Sequence, residues 1–349
     1  MDLFQFTRQL IDIPSITGNE KEVALFLKNR LVQLGAHVYL EEAEPDRPNV
    51  QAFWGEPEVV LSTHTDTVPP FFPSEEDEEF IYGRGACDAK GIIAAQVEAV
   101  VRLLEEGVGD LGLLFVVGEE RNSAGALAAN QKPPGSRYLI DGEPTENRLA
   151  VGTKGVLRLE IEAKGRAAHS AYPELGESAT EKLVEALYFL RGIKLPEDKL
   201  LGKTTYNIGT LQGGVAPNVI PDSARAEIMF RLVKPAEDLW QQIKLAIGDL
   251  ATVEKVLEIP PVKLGTIDGL ETTVVAFATD IPSLSAWGQP FLLGPGSVRV
   301  AHTQEERISK AEMLQAVEIY VTMVKKLKSG EGVHSEVADH IWTVGELLA

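Results

Sequence analysis

The sequence predicts an α/β protein carrying a second, ferredoxin-like α+β domain as an insertion. Three observations carry that prediction. Up to about residue 153, apolar extended runs alternate with amphipathic helical stretches, and this alternation returns near the carboxy end. Between the two stretches the order of signals is β-α-β-β-α-β, a complete small sandwich in itself. The length of 349 residues also exceeds what one core ordinarily serves. The expected division is 1–153 with 264–349 as one domain and 154–263 as the inserted one.

In chain order, Thr17 and Glu20 have capping-box spacing. They are expected to open a helix with Val23, Phe26, Leu27, Leu31 and Leu34 on its apolar side, stopped by Gly35. Extended segments follow at Ala36–Leu40, Asn49–Trp54 and Glu58–Thr63. The acidic run Ser74–Glu79 reads as a solvated loop. A helix over Ala89–Glu106 ends at Gly107, and strands follow at Leu111–Val117 and Tyr138–Asp141. Beyond Lys154, Leu157, Leu159 and Ile161 alternate with Arg158, Glu160 and Glu162, a strand with one wet face. A helix at Glu177–Leu190 and a strand at Thr204–Leu211 come next. Ala226, Ile228, Phe230 and Leu232 alternate with polar neighbours in a further strand. A helix then begins near Pro235, and a strand runs over Val256–Ile259. The last signals are a strand at Phe291–Leu293 and a helix from Lys310 to Lys328. The tail past Ser329 holds His334 and His340, both read as surface residues, and few core positions until Ile341 and Leu347.

The bulk composition narrows the partners. With 44% hydrophobic and 24% charged residues, the chain fits a folded soluble protein. A formal charge of -19, from 33 basic and 52 acidic residues, opposes nucleic acid and anionic membrane, which need clustered positive charge. It leaves room for a metal ion or a cationic ligand. The single Cys87 excludes an internal disulfide framework. Met1–Ile11 lacks the basic-then-apolar order of a signal peptide, and no apolar stretch is long enough to span a bilayer, so a cytoplasmic location is expected.

The chemistry is concentrated just after strands. Glu119 and Glu120 follow the apolar run and Gly118. Such a pair alone is commonly a solvated turn, but adjacent side chains can also divide two tasks, one on a metal and one on a proton. His64 and Asp66 close the strand Glu58–Thr63, and their spacing of two puts both on one face. A carboxylate there can hold an imidazole in orientation. Asp88 lies in Gly83-Arg84-Gly85-Ala86-Cys87-Asp88-Ala89-Lys90-Gly91, where it could be a helix cap or a carboxylate bridging two metals. The surrounding acids would raise the Cys87 thiol pKa, which opposes a thiol nucleophile. Gly83 and Gly85 are not followed by the third glycine of a dinucleotide loop. Glu143 follows Asp141-Gly142 in what could be a plain Gly-Pro turn, and His302 follows the last strand region. In an α/β sheet these positions converge on one edge. Two imidazoles and several carboxylates without thiols match zinc or a similar divalent ion, and their number suits a pair of ions.

These segments carry a family resemblance. Thr63-His64-Thr65-Asp66-Thr67-Val68-Pro69, the Gly83–Gly91 segment, Gly118-Glu119-Glu120 and Gly142-Glu143-Pro144-Thr145 resemble, in order, the signature blocks of one zinc amidohydrolase and metallopeptidase family. The family includes acetylornithine deacetylase, succinyl-diaminopimelate desuccinylase, aminoacylase and carboxypeptidase G. Leu293-Gly294-Pro295-Gly296-Ser297 with Ala301-His302 is most similar to the acetylornithine deacetylase branch.

The resemblance implies a metallopeptidase-type α/β catalytic domain and an inserted lid that mediates homodimerisation. It implies two Zn2+ ions, with Co2+ as a substitute. His64, Asp88 and Glu143 would hold one ion, and Asp88, Glu120 and His302 the other. Asp66 would orient His64, and Glu119 would be the general acid/base. Gly165-Arg166-Ala167-Ala168-His169-Ser170 resembles the lid motif whose His polarises the scissile carbonyl. Pro217-Asn218-Val219-Ile220-Pro221 resembles the lid loop whose Asn contacts substrate. Lys154, Arg231, Gly296 and Ser297 are further candidate substrate contacts, with Arg231 or Lys154 suited to a carboxylate; Arg299 is a comparable cation. The implied activity is hydrolysis of an N-acyl amino acid, N-acetylornithine first and N-acetyl-lysine or N-acetylcitrulline next, with a place in arginine biosynthesis. The rivals are a dinuclear-zinc dipeptidase or aminopeptidase, and a family member that has lost its chemistry.

Overall fold

The computed structural model describes residues 2–334, so His340, Ile341 and Leu347 lie outside the described residues. The chain forms two compact units. Of the described residues, 2–151, Lys263–Thr273 and 279–334 make the first, and Gly152–Val262 with Val274–Ala278 make the second.

The first unit is built on a six-stranded sheet. Its order is His37–Glu44, Arg47–Trp54, Leu111–Val116, Val59–His64, Tyr138–Asp141 and Gln289–Leu292. The last four strands run parallel, and the first two join them through antiparallel pairings. Parallel strands covered on both faces need apolar residues on both, and Leu111–Val116 is buried throughout. Alternate residues serve different layers. Val59, Leu61, Leu113, Phe115 and Ile140 pack into a large core with residues of the helices Leu3–Ile11, Lys21–Gln33, Gly91–Glu105 and Lys310–Ser329. Val60, Leu114, Val116 and Leu139 face a smaller core with Ala126, Ala129, Leu284 and Trp287. The indole of Trp287 donates to the Ala129 carbonyl at 3.1 Å. Truncating Leu61, which is fully buried, is expected to lower unfolding free energy by about 2–5 kcal/mol, read from the denaturant midpoint of Leu61→Ala.

Several local expectations change in the tertiary context. The Thr17–Glu20 capping box does not form: the helix Lys21–Gln33 has no side-chain cap bond at Glu20. Glu20 instead takes the buried Arg47 guanidinium at 2.5 and 2.8 Å, and Thr17 bonds Asp66. A charge-assisted pair of buried partners outweighs one backbone N–H, and the Thr17 N–H is already taken by Thr67 O at 3.1 Å. The acidic run Ser74–Glu79 is more ordered than a solvated loop. Glu75–Glu76 pairs with Phe80–Tyr82, and the Asp77 carboxylate accepts from Glu79 N, Phe80 N and the Tyr82 hydroxyl. A short helix Ala124–Ala129 and a strand Leu149–Thr153 add to the elements read from the sequence.

The second unit is a four-stranded antiparallel sheet in the order Thr205–Gly213, Ser223–Leu232, Gly155–Lys164 and Thr252–Ile259. Leu157, Leu159 and Ile161 face a core completed by the helices Ala179–Arg191 and Glu237–Ile247. On the wet face Arg158 pairs with Glu227 and Arg225 with Glu160. The first helix is capped by Ser178, whose Oγ accepts from Glu181 N. Val274–Ala278 returns to this unit, where Val275 O accepts from Lys154 N at 3.1 Å. That return is absent from the continuous 264–349 division expected of the sequence.

Among the described residues, no helix is long and apolar enough to cross a membrane.

Candidate metal centre

Four parallel strands end at one edge of the first unit's sheet, and the chemistry sits there. His64 is the last residue of its strand and pairs in register with Val116, two residues before Gly118. Ser62 pairs with Asp141, two residues before Glu143. Leu292 pairs with Asp141 from the other side and leads into the segment that ends at His302. Asp88 arrives from a loop that enters the helix Gly91–Glu105.

The side chains form two donor sets that share one carboxylate. His64, Asp88 and Glu143 bring ligand atoms within 4.8 Å of one another, and so do Asp88, Glu120 and His302. Asp88 Oδ1 lies 2.9 Å from His64 Nε2, and Oδ2 lies 3.2 Å from His302 Nε2. His302 Nε2 is also 2.9 Å from Glu120 Oε1. These groupings coincide with the ones that the family resemblance implies.

Asp66 has a larger task than orienting one ring. Its main-chain carbonyl takes His64 Nδ1 at 3.0 Å, while its Oδ1 stands 3.5 Å from the same nitrogen. The carboxylate itself gathers the backbone of the glutamate pair. Oδ1 accepts from Gly118 N at 2.9 Å and Glu119 N at 3.1 Å, and Oδ2 from Glu120 N at 3.3 Å. Thr17 Oγ1 completes the set at 2.8 Å. Ser15 Oγ supports the same turn by donating to Thr65 O at 2.7 Å. One buried carboxylate therefore fixes the ends of two neighbouring strands.

The electrostatics fit a cationic occupant. Burial pushes the Glu143 carboxyl well above the usual range, with the Glu119 and Asp88 charges adding to it. Glu143 is 6% exposed, and its carboxylate has no hydrogen bond or ion pair among the described residues. Enclosure likewise raises Glu119, helped by Asp280, Glu120 and Asp88 and opposed by His64. Burial also works on Asp88, but the His302 and His64 imidazoles outweigh it and hold its carboxyl low. Hydrogen bonds to Asp88 and Glu120 raise His302 to about 10. Enclosed carboxylates with two imidazoles and no ammonium among them are a hard, oxygen-rich donor set with nitrogen corners, as zinc and similar divalent ions take.

The remaining expected residues divide between the units. His169 and Asn218 lie together in the second, where His169 pairs with Val219 and Ser170 N donates to Asn218 O at 3.0 Å. Both side chains are exposed. Arg231 stands between Thr205 and Val156 in the sheet register, and its guanidinium has no partner among the described residues. The Lys154 ammonium is engaged by Lys203 O at 2.7 Å. Gly296 and Ser297 belong to scaffold contacts in the first unit. Gly296 N donates to Glu312 at 3.1 Å and Ser297 Oγ to Glu146 at 2.7 Å. Gly296 has φ +91, and a Cβ there would stand 2.6 Å from Cys87 Cβ, so only glycine fits.

Cys87 itself is fully buried, and burial with the Glu306 and Asp88 charges pushes its thiol well up. That agrees with the sequence argument against a thiol nucleophile. Residues that the sequence did not flag include Ser15, Asp280 and Glu306.

Asp280 gives a pH-dependent prediction. Burial raises its carboxyl from 3.8 to about 7, with Asp141 adding to the effect. Between those values the folded state keeps a proton that the unfolded chain has lost, so raising the pH there destabilises the fold. With chelator present, the stability advantage of Asp280→Asn over the parent chain is expected to grow from about pH 4 to about pH 7 and then level off. Denaturant titrations across that range measure it, and a flat difference contradicts the assignment.

Residues 60–326 match the family described as Peptidase family M20/M25/M40. A protein of Schizosaccharomyces pombe named Peptidase M20 domain-containing protein is 41% identical over 340 residues, covering 93% of this chain and 84% of its own. A protein of Aspergillus clavatus named probable carboxypeptidase is 36% identical over 369 residues, covering 94% of this chain and 89% of its own. The crystal structure of a tripeptidase from Staphylococcus aureus has the same fold, with a TM-score of 0.79 at 23% identity over 93% of this chain and 98% of that one.

Proposed function

The chain belongs to the peptidase family M20/M25/M40, and on that premise we propose that it is a metal-dependent hydrolase of N-acyl amino acids. The observation that carries this reading is the pair of donor sets sharing Asp88, with the enclosed Glu119 carboxylate among them. His64, Asp88 and Glu143 would hold one divalent ion and Asp88, Glu120 and His302 a second, with zinc the first choice and cobalt a substitute. Such ions, when bound, polarise a carbonyl and lower the pKa of water toward neutrality.

The chain's own residues supply the proton handling. Glu119 takes a proton from the attacking water and returns it to the amine nitrogen as the amide bond breaks. Asp66 keeps Glu119 in place by holding its backbone N–H, and keeps His64 in orientation through its carbonyl. His169 is assigned to the developing oxyanion and Asn218 to the substrate. Their adjacency in the second unit supports a shared task. Arg231, with an uncommitted guanidinium, is the choice for the substrate carboxylate. Homodimerisation through the second unit belongs to the same proposal.

Two substrate readings share one chemistry, an amide whose nitrogen belongs to an α-amino acid. The Leu293–Ser297 segment favours N-acetylornithine, with N-acetyl-lysine and N-acetylcitrulline beside it. The name probable carboxypeptidase, borne by a relative 36% identical to this chain, favours a short peptide with a free carboxyl end. A zinc- or cobalt-loaded assay over acetylated amino acids, succinylated amino acids and dipeptides decides between them. Release of acetate from N-acetylornithine at higher kcat/KM than any dipeptide supports the first. The reverse order supports the second. Absence of metal-dependent hydrolysis across the panel overturns both.

A further inference from the structure

We propose that Glu306 is a positioning residue that fixes the Asp88 loop and so couples the two donor sets. The proposal rests on the metal-centre reading above. Glu306 is 1% exposed, and four groups of one loop converge on its carboxylate. Oε1 accepts from Gly85 N at 2.9 Å and Asp88 N at 3.3 Å, and lies 3.8 Å from Cys87 Sγ. Oε2 takes Arg84 Nη1 at 2.5 Å. The main-chain carbonyl of Glu306 also accepts from Gly83 N at 3.2 Å.

The backbone explains why the loop needs this acceptor. Asp88 has φ -135 and ψ 83 and Ala89 φ -134 and ψ 23, so neither continues a helical ladder. Without Glu306 the buried Asp88 N–H would be left unpaired. Glu306 is itself held, because the next residues, Arg307–Ser309, pair with Phe80–Tyr82 just ahead of the loop. His302 lies four residues before Glu306. One short segment thus delivers His302 to one donor set and secures the carboxylate common to both.

A purely stabilising ion pair would need only the Arg84 contact. The second oxygen is committed instead to the backbone of Gly85 and Asp88. Arg84 is braced separately, by Pro70 O at 3.2 Å and the Phe72 ring at 5.0 Å.

Zinc affinity, measured by competition with a chromogenic chelator, separates the two roles without any need for turnover. In folded Glu306→Leu, which keeps no acceptor for Gly85 N and Asp88 N, both ions are expected to bind about 10–100-fold more weakly. That change alone can disturb folding by leaving Arg84 uncompensated, so the paired change Arg84→Met with Glu306→Leu is the second variant. Buried ion pairs commonly tolerate such apolar replacement. It removes the acceptor from Gly85 and Asp88 and is expected to show the same loss of affinity, with a denaturant midpoint lowered only by the two unpaired N–H groups and not by an uncompensated charge. Parental affinity for both ions in either folded variant overturns the positioning role. If the parental chain binds no divalent ion, the metal-centre reading itself fails, and this inference with it.

Discussion

Glu119→Gln is expected to lower kcat by about 10²–10⁴-fold while leaving the bound-metal content unchanged. Glu119 belongs to neither donor set, so its loss should not release an ion. Its side chain has no hydrogen bond or ion pair among the described residues, which leaves both oxygens available to a water and to a leaving amine. Its place is nevertheless fixed, since Asp66 Oδ1 holds its backbone N–H at 3.1 Å. In the metal-free chain, burial and the neighbouring Asp280, Glu120 and Asp88 charges raise this carboxyl above the usual range. Gln preserves the shape and removes only the proton chemistry. Steady-state kinetics beside metal analysis of the same preparation make the test. A kcat within about tenfold of the parental enzyme would remove Glu119 from its role.

Asp88→Ala is expected to have the larger effect, abolishing turnover by emptying both positions at once. Its two oxygens face different imidazoles, His64 at 2.9 Å and His302 at 3.2 Å. Each donor set contains it, so each is reduced to two protein ligands, one fewer than catalytic zinc sites ordinarily have. His302→Ala is the contrasting case, because it leaves the His64, Asp88 and Glu143 set complete. Elemental analysis should therefore give about two ions per parental chain, about one for His302→Ala and close to none for Asp88→Ala. Excess zinc should not restore the Asp88→Ala enzyme. Parental metal content in Asp88→Ala would show that the two sets do not depend on a common ligand.

Part of the candidate site was legible in the sequence because charge directly after an apolar run is a local signal. Glu119 and Glu120 after Leu111–Val116, His64 at the end of Val59–His64, and Glu143 after Tyr138–Asp141 all have it. The alternation in Gly155–Lys164 and Ser223–Leu232 made the second unit equally readable. The supporting polar residues have no such signature. Thr17 reads as a helix cap from its neighbours, yet its partner is Asp66, 49 residues away. Glu306 finds the Gly85 and Asp88 backbone across 221 and 218 residues. Asn49 joins Val117 N and Gly125 O with one side chain, pinning the start of the helix Ala124–Ala129. Periodicity reports what a residue does for its own element. It is silent about what a residue does for another one, and these side chains act almost wholly for others.

The close contact between Gly296 and Cys87 has a practical consequence. Cys87 is the one cysteine in the sequence, it is fully buried, and its thiol is held in the unreactive form. The native chain therefore offers thiol-directed dyes almost no background. A cysteine placed at exposed Tyr188 of the second unit and another at exposed Tyr39 of the first could be labelled without removing any native residue. The separation of the two units in solution, with and without substrate, then becomes a fluorescence measurement on an otherwise unaltered active-site scaffold.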